Sequence, residues 1–191
     1  MYLEYYFEIK IYSARNPLEK MNWKNQQKEN GVIYLTAPKI DFEREYTAVR
    51  QKENRLLSDE TVKVLPFLND GPHVQEWKKR LDTLNRMTPF VNQLDHKTIL
   101  EIGCGNGWFS NLLVKCNNTV IGLDVGKGEL EQAARCFQKD NLHFVCCTDL
   151  HLLPENEFDC IVFNASLQYF DLSPSWWEMI YKKVKKGGEI H

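Results

Sequence analysis

The chain has 191 residues, of which 43% are hydrophobic and 26% are charged, a composition typical of one globular domain with, at most, a small appendage. Lysine and arginine together number 24 and aspartate and glutamate 26, so the net charge of −2 does not indicate a strongly basic surface for binding nucleic acid. No apolar run approaches the roughly 20 residues that span a bilayer. Glu4 and Glu8 interrupt the apolar N-terminus, so a signal peptide is not predicted either.

The cysteines and histidines show no spacing typical of a metal site. No two cysteines form a Cys-x-x-Cys pair, which argues against a zinc ribbon or a thioredoxin motif. We therefore interpret the cysteines as buried thiols of a cytoplasmic protein and predict no metal. All six lie in the second half of the chain: Cys104, Cys116, Cys136, Cys146, Cys147 and Cys160.

The first half of the chain predicts short strands and helices. Ser58, followed by two acidic residues, is typical of a helix N-cap, and Pro89 predicts a break or kink in the longest helix. Polar residues predict a loop or a weak helix over residues 17–30. The other predicted elements are strands over residues 1–12 and 32–36 and helices over residues 41–56, 58–65 and 73–94.

The second half alternates strands with helices, which is typical of βαβ units around a parallel sheet. Right-handed crossovers then place helices on both faces. We predict an α/β fold, a Rossmann-like, doubly wound and mostly parallel sheet over residues 91–191, preceded by an N-terminal helical and β extension over residues 1–90. The predicted strands are residues 98–102, 119–123, 142–147 and 158–164, and the predicted helices are residues 108–116, 127–139 and 174–186.

A glycine-rich turn follows the first of these strands, in the run T-I-L-E-I-G-C-G-N-G-W over residues 98–108. Gly103, Gly105 and Gly107 would let a ligand approach the backbone where the next helix offers free N–H groups. The spacing is G-x-G-x-G rather than the G-x-G-x-x-G of dinucleotide sites. Glu101, two residues before the turn, suits a ligand with an ammonium group better than a pyrophosphate, which disfavours an NAD-dependent oxidoreductase.

Two aspartates end the next two strands. Asp124 follows Gly107 by seventeen positions, where a carboxylate can accept both hydroxyls of a ribose. Asp149 ends the third strand and could accept a hydrogen bond from an adenine amino group. For each aspartate the alternative is a cap for the segment that follows it. The carboxyl ends of parallel strands share one edge of a sheet, so we favour a common ligand site.

With these motifs the second half resembles the class I S-adenosylmethionine-dependent methyltransferases, most closely the type-11 group. The resemblance starts at Thr98 and includes LEIGCGNG, VIGLD, FDCIVFNASLQYF and KKVKKGGEIH. It implies S-adenosyl-L-methionine as the cofactor and methyl transfer as the activity. The implied cofactor contacts are Glu101 and the turn Gly103, Cys104, Gly105, Asn106 and Gly107 for the methionine part, Asp124 for the ribose, Val125, Leu150 and Asp149 for the adenine, and Asn164 near the sulfonium.

The resemblance also implies a longer sheet than the chain provides. The family has seven strands in the order 3-2-1-4-5-7-6, and here the turn Gly187-Gly188 would precede a fifth strand that stops at His191. We therefore expect a truncated domain with residues 158–164 as an open edge, prone to self-association, unless residues 1–12 cover that edge.

The sequence leaves the chemistry of the acceptor open. We expect a small-molecule acceptor and assign no catalytic residue. A non-catalytic cofactor-binding protein is the alternative. Tyr46 and Arg50, four residues apart on one helix, either cover the cofactor pocket or form a solvated pair, and we favour the solvated pair. Four aromatic residues after the fourth strand either wall an acceptor pocket or pack helix on sheet, which we favour: Tyr169, Phe170, Trp176 and Trp177.

Overall fold

A computed structural model describes residue 18, residue 21, residue 23 and residues 25–115 and 117–191 of the chain. The strand predicted over residues 1–12 lies outside these residues. The described strands form one sheet in the order β1-β2-β5-β4-β3-β6-β7. They are β1 (Gln27–Glu29), β2 (Val32–Tyr34), β3 (Thr98–Ile102), β4 (Thr119–Asp124), β5 (Leu142–Cys146), β6 (Phe158–Val162) and β7 (Val184–Ile190).

The sheet is parallel except for β1, which confirms the predicted α/β class. Strand β3 is an interior strand between β4 and β6, with Leu100 opposite Ile121 of β4 and Ile161 of β6. All three side chains are fully buried. Helices cover both faces of a doubly wound sheet, which explains why its central strands are apolar runs rather than alternating ones.

Six α-helices are described: α1 (Ile40–Lys52), α2 (Asp59–Lys63), α3 (Val74–Val91), α4 (Trp108–Leu113), α5 (Lys127–Cys136) and α6 (Pro174–Lys183). The predicted cap of α2 is confirmed, since Ser58 Oγ accepts a hydrogen bond from Thr61 N at 3.2 Å. The predicted break at Pro89 is wrong, because α3 continues to Val91. The backbone bond from Asn92 N to Thr88 O persists beyond the proline, and Val91 is buried in the core.

The N-terminal region extends the sheet with a hairpin that the sequence analysis missed. Part of the segment predicted as loop or weak helix is strand β1, paired antiparallel with β2. Asn30 and Gly31 both have positive φ, 48° and 84°, as a two-residue hairpin turn requires. The polar residues of β1 are exposed, so backbone pairing rather than an apolar face forms this strand. Strand β2 is buried and pairs parallel with β5, next to the edge where the family's sheet order would end.

The predicted open edge over residues 158–164 is also wrong, since β7 pairs parallel with β6. Val184 lies opposite Phe158, and Glu189 lies opposite Cys160, so the residues between them bulge out of the ladder. Gly187 has a φ of 81°, which permits this bulge. The pairing continues past the strand, where His191 N donates to Ile161 O at 2.9 Å.

Two apolar clusters flank the sheet, and both include residues from the N-terminal half. The first joins Val32 of β2 and Trp77 of α3 to Ile99 of β3. The second joins Ile33 of β2 to Leu100 of β3 and to residues of α6. No helix among the described residues is long and apolar enough to cross a membrane.

Candidate active site

A cavity of about 720 Å³ lies at the carboxyl edge of the sheet. Its volume falls within the roughly 300–1,000 Å³ of pockets that hold drug-sized ligands. The loops that follow β3, β4, β5 and β6 form one wall, and helices α1 and α3 with the segment between them form the other. The ends of consecutive parallel strands meet at this edge, where such sheets bind ligands.

The glycine turn between β3 and α4 lines the cavity through Gly103, Cys104, Gly105 and Asn106. Gly103 has a φ of 79°, and a side chain there would collide with Ser166. The N–H groups of Gly103 and Cys104 both donate to Leu123 O, at 2.8 and 3.0 Å. The turn is thereby fixed to the end of β4, with its backbone facing the cavity.

Gly107, also predicted as a contact, lies outside the cavity lining and has a packing role. Its φ is 74° at the N-cap of α4. A Cβ atom there would lie 2.6 Å from Cε1 of Phe144 and 2.9 Å from Cβ of Ala133. The glycine therefore permits the close packing of this turn on β5 and α5.

Glu101 is buried at the base of the cavity. Ser110 Oγ donates a short hydrogen bond to its Oε2, and Asn164 also bonds to it. Burial raises the pKa of Glu101 to about 8, with a further rise from Asp124, against the lowering effect of these two hydrogen bonds. A buried carboxyl of this kind gains an ionic partner when an ammonium group enters the cavity.

Asp124 lines the cavity at the end of β4, and its carboxylate also organises the surrounding loops. Oδ2 accepts from Gly105 N at 2.8 Å, and Oδ1 accepts from Val125 N and Gly126 N at 2.7 and 2.9 Å. A carboxylate offers about four acceptor positions, so three backbone donors leave capacity for a hydroxyl group. The aspartate can therefore hold the glycine turn and contact a ligand.

The remaining predicted contacts fall into two groups. Val125, Leu150 and Asn164 line the cavity, so apolar faces from two loops and an amide from a third meet there. Asp149 is exposed and lies outside the lining. Its Oδ1 accepts from His151 N at 3.0 Å and caps the 3₁₀ turn Leu150–Leu152.

Tyr46 and Arg50 line the cavity, so the solvated pair that the sequence analysis favoured is wrong. Tyr46 Oη donates to Glu129 Oε2 at 2.9 Å, and Arg50 Nε donates to Tyr46 Oη at 2.8 Å. Arg50 Nη2 also lies 3.3 Å from Glu129 Oε1. Burial raises the pKa of Glu129, while Arg50 opposes that rise. The partner that holds the pair over the cavity is 79 residues from Arg50, which local spacing does not reveal.

A second set of lining residues that the sequence analysis missed lies on the N-terminal wall: Arg55, Glu76, Trp77 and Arg80. Trp77 packs edge to face with Trp108, at 5.8 Å between ring centroids, which joins this wall to the helix after the glycine turn. The i, i+4 spacing of Glu76 and Arg80 on an amphipathic helix was the one local signal.

The aromatic residues after β6 divide between the two predicted roles. Tyr169 and Phe170 line the cavity, and Tyr169 is 80% exposed at its mouth. Trp176 packs against Phe163 and Phe170, at 5.6 and 5.3 Å between ring centroids. Packing of helix on sheet, the favoured interpretation, therefore holds for Phe170 and Trp176 and also for Trp177, whose ring centroid is 6.4 Å from that of Phe163, but it does not account for Tyr169.

Residues 100–191 match the family described as a methyltransferase domain. This segment is similar to that family, and the recognition of a class I S-adenosylmethionine-dependent methyltransferase domain, with its cofactor, is confirmed. The residues of the N-terminal wall precede the matched segment.

Curated relatives match between about half and two thirds of the chain. A malonyl-[acyl-carrier protein] O-methyltransferase from Priestia megaterium is 31% identical over 105 residues, 54% of this chain and 38% of the relative. A ubiquinone biosynthesis O-methyltransferase from Hydrogenovibrio crunogenus is 31% identical over 109 residues, which is 53% of this chain and 45% of the relative. A tRNA U34 carboxymethyltransferase from Pseudoalteromonas atlantica is 28% identical over 131 residues, which covers 65% of this chain and 40% of the relative. The chain spans less than half the length of each of these relatives.

A solved structure agrees in fold. Phosphoethanolamine N-methyltransferase 2 of Haemonchus contortus, in complex with S-adenosyl-L-methionine, superposes with a TM-score of 0.56 at 20% identity, over 78% of this chain and 34% of that chain. At this identity the likeness concerns the fold alone. The named acceptors of these four proteins differ, so similarity by itself does not select an acceptor for this chain.

Proposed function

We propose that the chain binds S-adenosyl-L-methionine in the cavity at the carboxyl edge of the sheet and transfers its methyl group to a small-molecule acceptor. The observation that carries the proposal is the convergence of Glu101, the glycine turn and Asp124 on one cavity within the segment that matches the methyltransferase family. Similarity to the methyltransferase family favours this function over a cofactor-binding protein without catalysis.

The residues present fit the cofactor by their chemistry. Glu101 is a buried acceptor for an ammonium group, and Asp124 has acceptor capacity for ribose hydroxyls. Val125 and Leu150 offer apolar faces for a base. We keep Asp149 as a proposed contact of the adenine amino group, although its carboxylate caps the adjoining 3₁₀ turn.

The residues of the chain have to orient the acceptor and exclude water, because the bound sulfonium already supplies an electrophilic methyl group. When bound, S-adenosyl-L-methionine would supply the methyl group to a lone pair of the acceptor, and the electron pair of the carbon–sulfur bond would remain on sulfur. Tyr46, Arg50 and Glu129 form a closed hydrogen-bonded network on one side of this space. That network helps to exclude water from the part of the cavity where the reaction is proposed to take place.

Titration calorimetry with S-adenosyl-L-homocysteine, S-adenosyl-L-methionine and NAD tests the proposed ligand. We expect both sulfur compounds to bind with one site per chain and NAD to show no saturable binding. Binding of NAD in preference to the sulfur compounds would contradict the proposal. Transfer of a tritiated methyl group to a cell extract separates a methyltransferase from a protein that only binds the cofactor, and labelling in the low-molecular-weight fraction is the expected result.

We also propose, from the state of its cysteines, that the protein is located in the cytoplasm. Five of them lie among the described residues, and all five are free thiols. Free thiols persist in a reducing compartment, which supports a cytoplasmic location.

A further inference from the structure

The N-terminal wall of the cavity carries two guanidinium groups that share one carboxylate. Glu76 Oε1 accepts from Arg55 Nη1 at 3.1 Å and from Arg80 Nη2 at 3.0 Å, and Glu76 Oε2 lies 2.8 Å from Arg55 Nη2. Burial opposes the ionisation of Glu76, but Arg80 and Arg55 outweigh it and hold the pKa of Glu76 below its usual value. All three side chains are about 30% exposed and line the cavity.

The two arginines have donors to spare. Arg80 Nε is buried and has no hydrogen-bond partner among the residues that the structure describes. Burying an N–H group without a partner costs free energy, so an acceptor that enters the cavity would be stabilised there. The second ionic contact of Arg55 is Glu53 Oε2, at 3.2 Å, on a side chain that is half exposed and outside the cavity lining. Solvent screens that contact more than those inside the cavity.

The wall formed by the parallel strands and α5 carries carboxyl groups instead. Glu101, Asp124 and Glu129 line the cavity on the side of the parallel strands and α5. Among the described lining residues, Arg50 is the one arginine that bonds to an acid of that wall, Glu129, both directly and through Tyr46. Among the residues that the structure describes, Arg55 and Arg80 form ion pairs only with Glu53 and Glu76, which precede the parallel strands. The cavity therefore presents acceptors on one side and guanidinium donors on the other.

We propose that Arg55 and Arg80 form an anion-binding subsite of the cavity, which holds a carboxylate or phosphate group. Guanidinium groups recognise both anions through paired N–H donors. This inference rests on the proposed function for the source of the anion. The methyl acceptor could supply either anion, and the amino-acid part of the cofactor could supply a carboxylate. An acceptor that reacts through a carboxylate oxygen carries no proton there, so its methylation needs no general base.

The first experiment titrates the intact chain with inorganic phosphate and with acetate. Arg80 lies over the ring of Trp77, with its guanidinium carbon 5.1 Å from the centroid, so tryptophan fluorescence reports on this site and calorimetry confirms the stoichiometry. We expect Arg80→Gln to weaken binding of at least one anion about tenfold or more. Lys79→Gln is the matched control, because it removes a charge from an exposed adjacent position of the same helix, and it should leave binding within about twofold of the unmodified chain.

A second variant guards against misfolding. Arg80→Lys keeps the charge but loses the planar fork, and we expect partial recovery of anion binding relative to Arg80→Gln. Arg55 lies in a different segment of the chain from Arg80, and we expect Arg55→Gln to weaken anion binding by a similar factor. Thermal melting of each variant shows that the fold is retained.

The source of the anion is decided by repeating the titration with S-adenosyl-L-homocysteine bound. If the loaded chain still binds phosphate or acetate, the subsite serves the acceptor. If the bound amino-acid carboxylate blocks the anion and Arg80→Gln also weakens S-adenosyl-L-homocysteine, the subsite serves the cofactor. Absence of anion binding in the unmodified chain, or equal effects of Arg80→Gln and Lys79→Gln, would overturn the subsite. Failure of S-adenosyl-L-homocysteine to bind would overturn the proposed function while the anion titration still decides the subsite.

Discussion

At the scale of single residues, Glu101 couples the stability of the fold to the affinity for ligand. Its pKa of about 8 in the folded chain lies well above the ordinary value near 4.5. Between these values the folded chain keeps a proton that the unfolded chain has released. The free energy of unfolding therefore falls as pH rises through this window, by at most about 1.4 kcal/mol for each pH unit.

The Glu101→Gln variant removes this titration. We expect its melting temperature, measured relative to the unmodified chain, to rise progressively from pH 5 to pH 8, because only in the unmodified chain does ionisation of residue 101 stabilise the unfolded state over this range. Melting curves of both proteins across this range, without ligand, provide the comparison. A temperature difference that stays constant with pH would contradict the shifted pKa, whatever the absolute stabilities.

Ligand binding should show the opposite dependence on pH. An ammonium group favours the ionised carboxylate, so we expect the affinity of the unmodified chain for S-adenosyl-L-homocysteine to increase from pH 6 to pH 8 with release of a proton. Glu101→Gln should bind more weakly and lose most of this dependence. Calorimetry in two buffers of different ionisation enthalpy measures the proton release directly, and equal pH profiles for the two proteins would exclude Glu101 as the ammonium partner.

Asp124 is expected to act on both the ligand and the loop. We expect Asp124→Asn to reduce the affinity for S-adenosyl-L-homocysteine by about 1.5–3 kcal/mol, since a charged acceptor is lost. Asp140→Asn, an exposed substitution before β5, is the control and should leave the affinity unchanged. Calorimetry measures both. Equal affinities for the two variants would remove Asp124 from the proposed site.

At the scale of secondary-structure elements, helix α1 is fixed to helix α5 by a cap supplied from another segment. Glu43 of α1 accepts from the N–H groups of Lys127 and Gly128, at 2.8 and 2.7 Å. These are the first two residues of α5, whose N-cap Gly126 has no side chain to perform this role. The negative charge also lies favourably at the positive end of the helix dipole. The cap therefore positions α1, which carries Tyr46 and Arg50, over the cavity.

Removing this cap tests its contribution. We expect Glu43→Ala to lower the free energy of unfolding by about 0.5–2 kcal/mol, the usual cost of losing an N-cap. Glu45→Ala, two residues along the same helix and exposed, should change stability by less than about 0.5 kcal/mol. Urea unfolding of both variants provides the values. A loss for Glu45→Ala as large as that for Glu43→Ala would attribute the effect to the helix rather than to the cap.

At the scale of the whole molecule, both N-terminal strands belong to the same sheet as the methyltransferase segment, and β2 also belongs to the same apolar clusters. Ile33 of β2 is 5% exposed and packs in one cluster with Leu100 and Phe158. Shared burial of this kind couples the unfolding of the two regions. We therefore propose that residues 25–191 unfold as one unit, although the sequence divides the chain near residue 90.

The Ile33→Ala variant tests this coupling. We expect a loss of about 2–5 kcal/mol in the free energy of unfolding, because a buried side chain is truncated, and a single transition by circular dichroism and tryptophan fluorescence. Ile40→Ala is the matched control, since Ile40 is 80% exposed and its truncation should cost little. Two separate transitions, with the second unaffected by Ile33→Ala, would show that the N-terminal region unfolds independently.

The sequence by itself determined the fold class and the cofactor class. Strand–helix alternation, the G-x-G-x-G turn and the aspartate that ends the next strand are local patterns, and the topology of parallel sheets brings such strand ends to one edge. The candidate contacts Glu101, Gly105 and Asp124 follow from that rule and line the cavity.

Only the tertiary structure decided what forms the other wall and the edges of the sheet. Arg55 meets Glu76 across 21 residues, and Arg50 meets Glu129 across 79, without a local pattern that pairs them. Strand β7 covers β6 because Gly187 permits a bulge, and the exposed strand β1 forms because β2 offers a backbone partner. These features depend on contacts between residues that are far apart in the sequence. Such contacts form through packing and backbone hydrogen bonds of the folded chain, and no local sequence pattern encodes them.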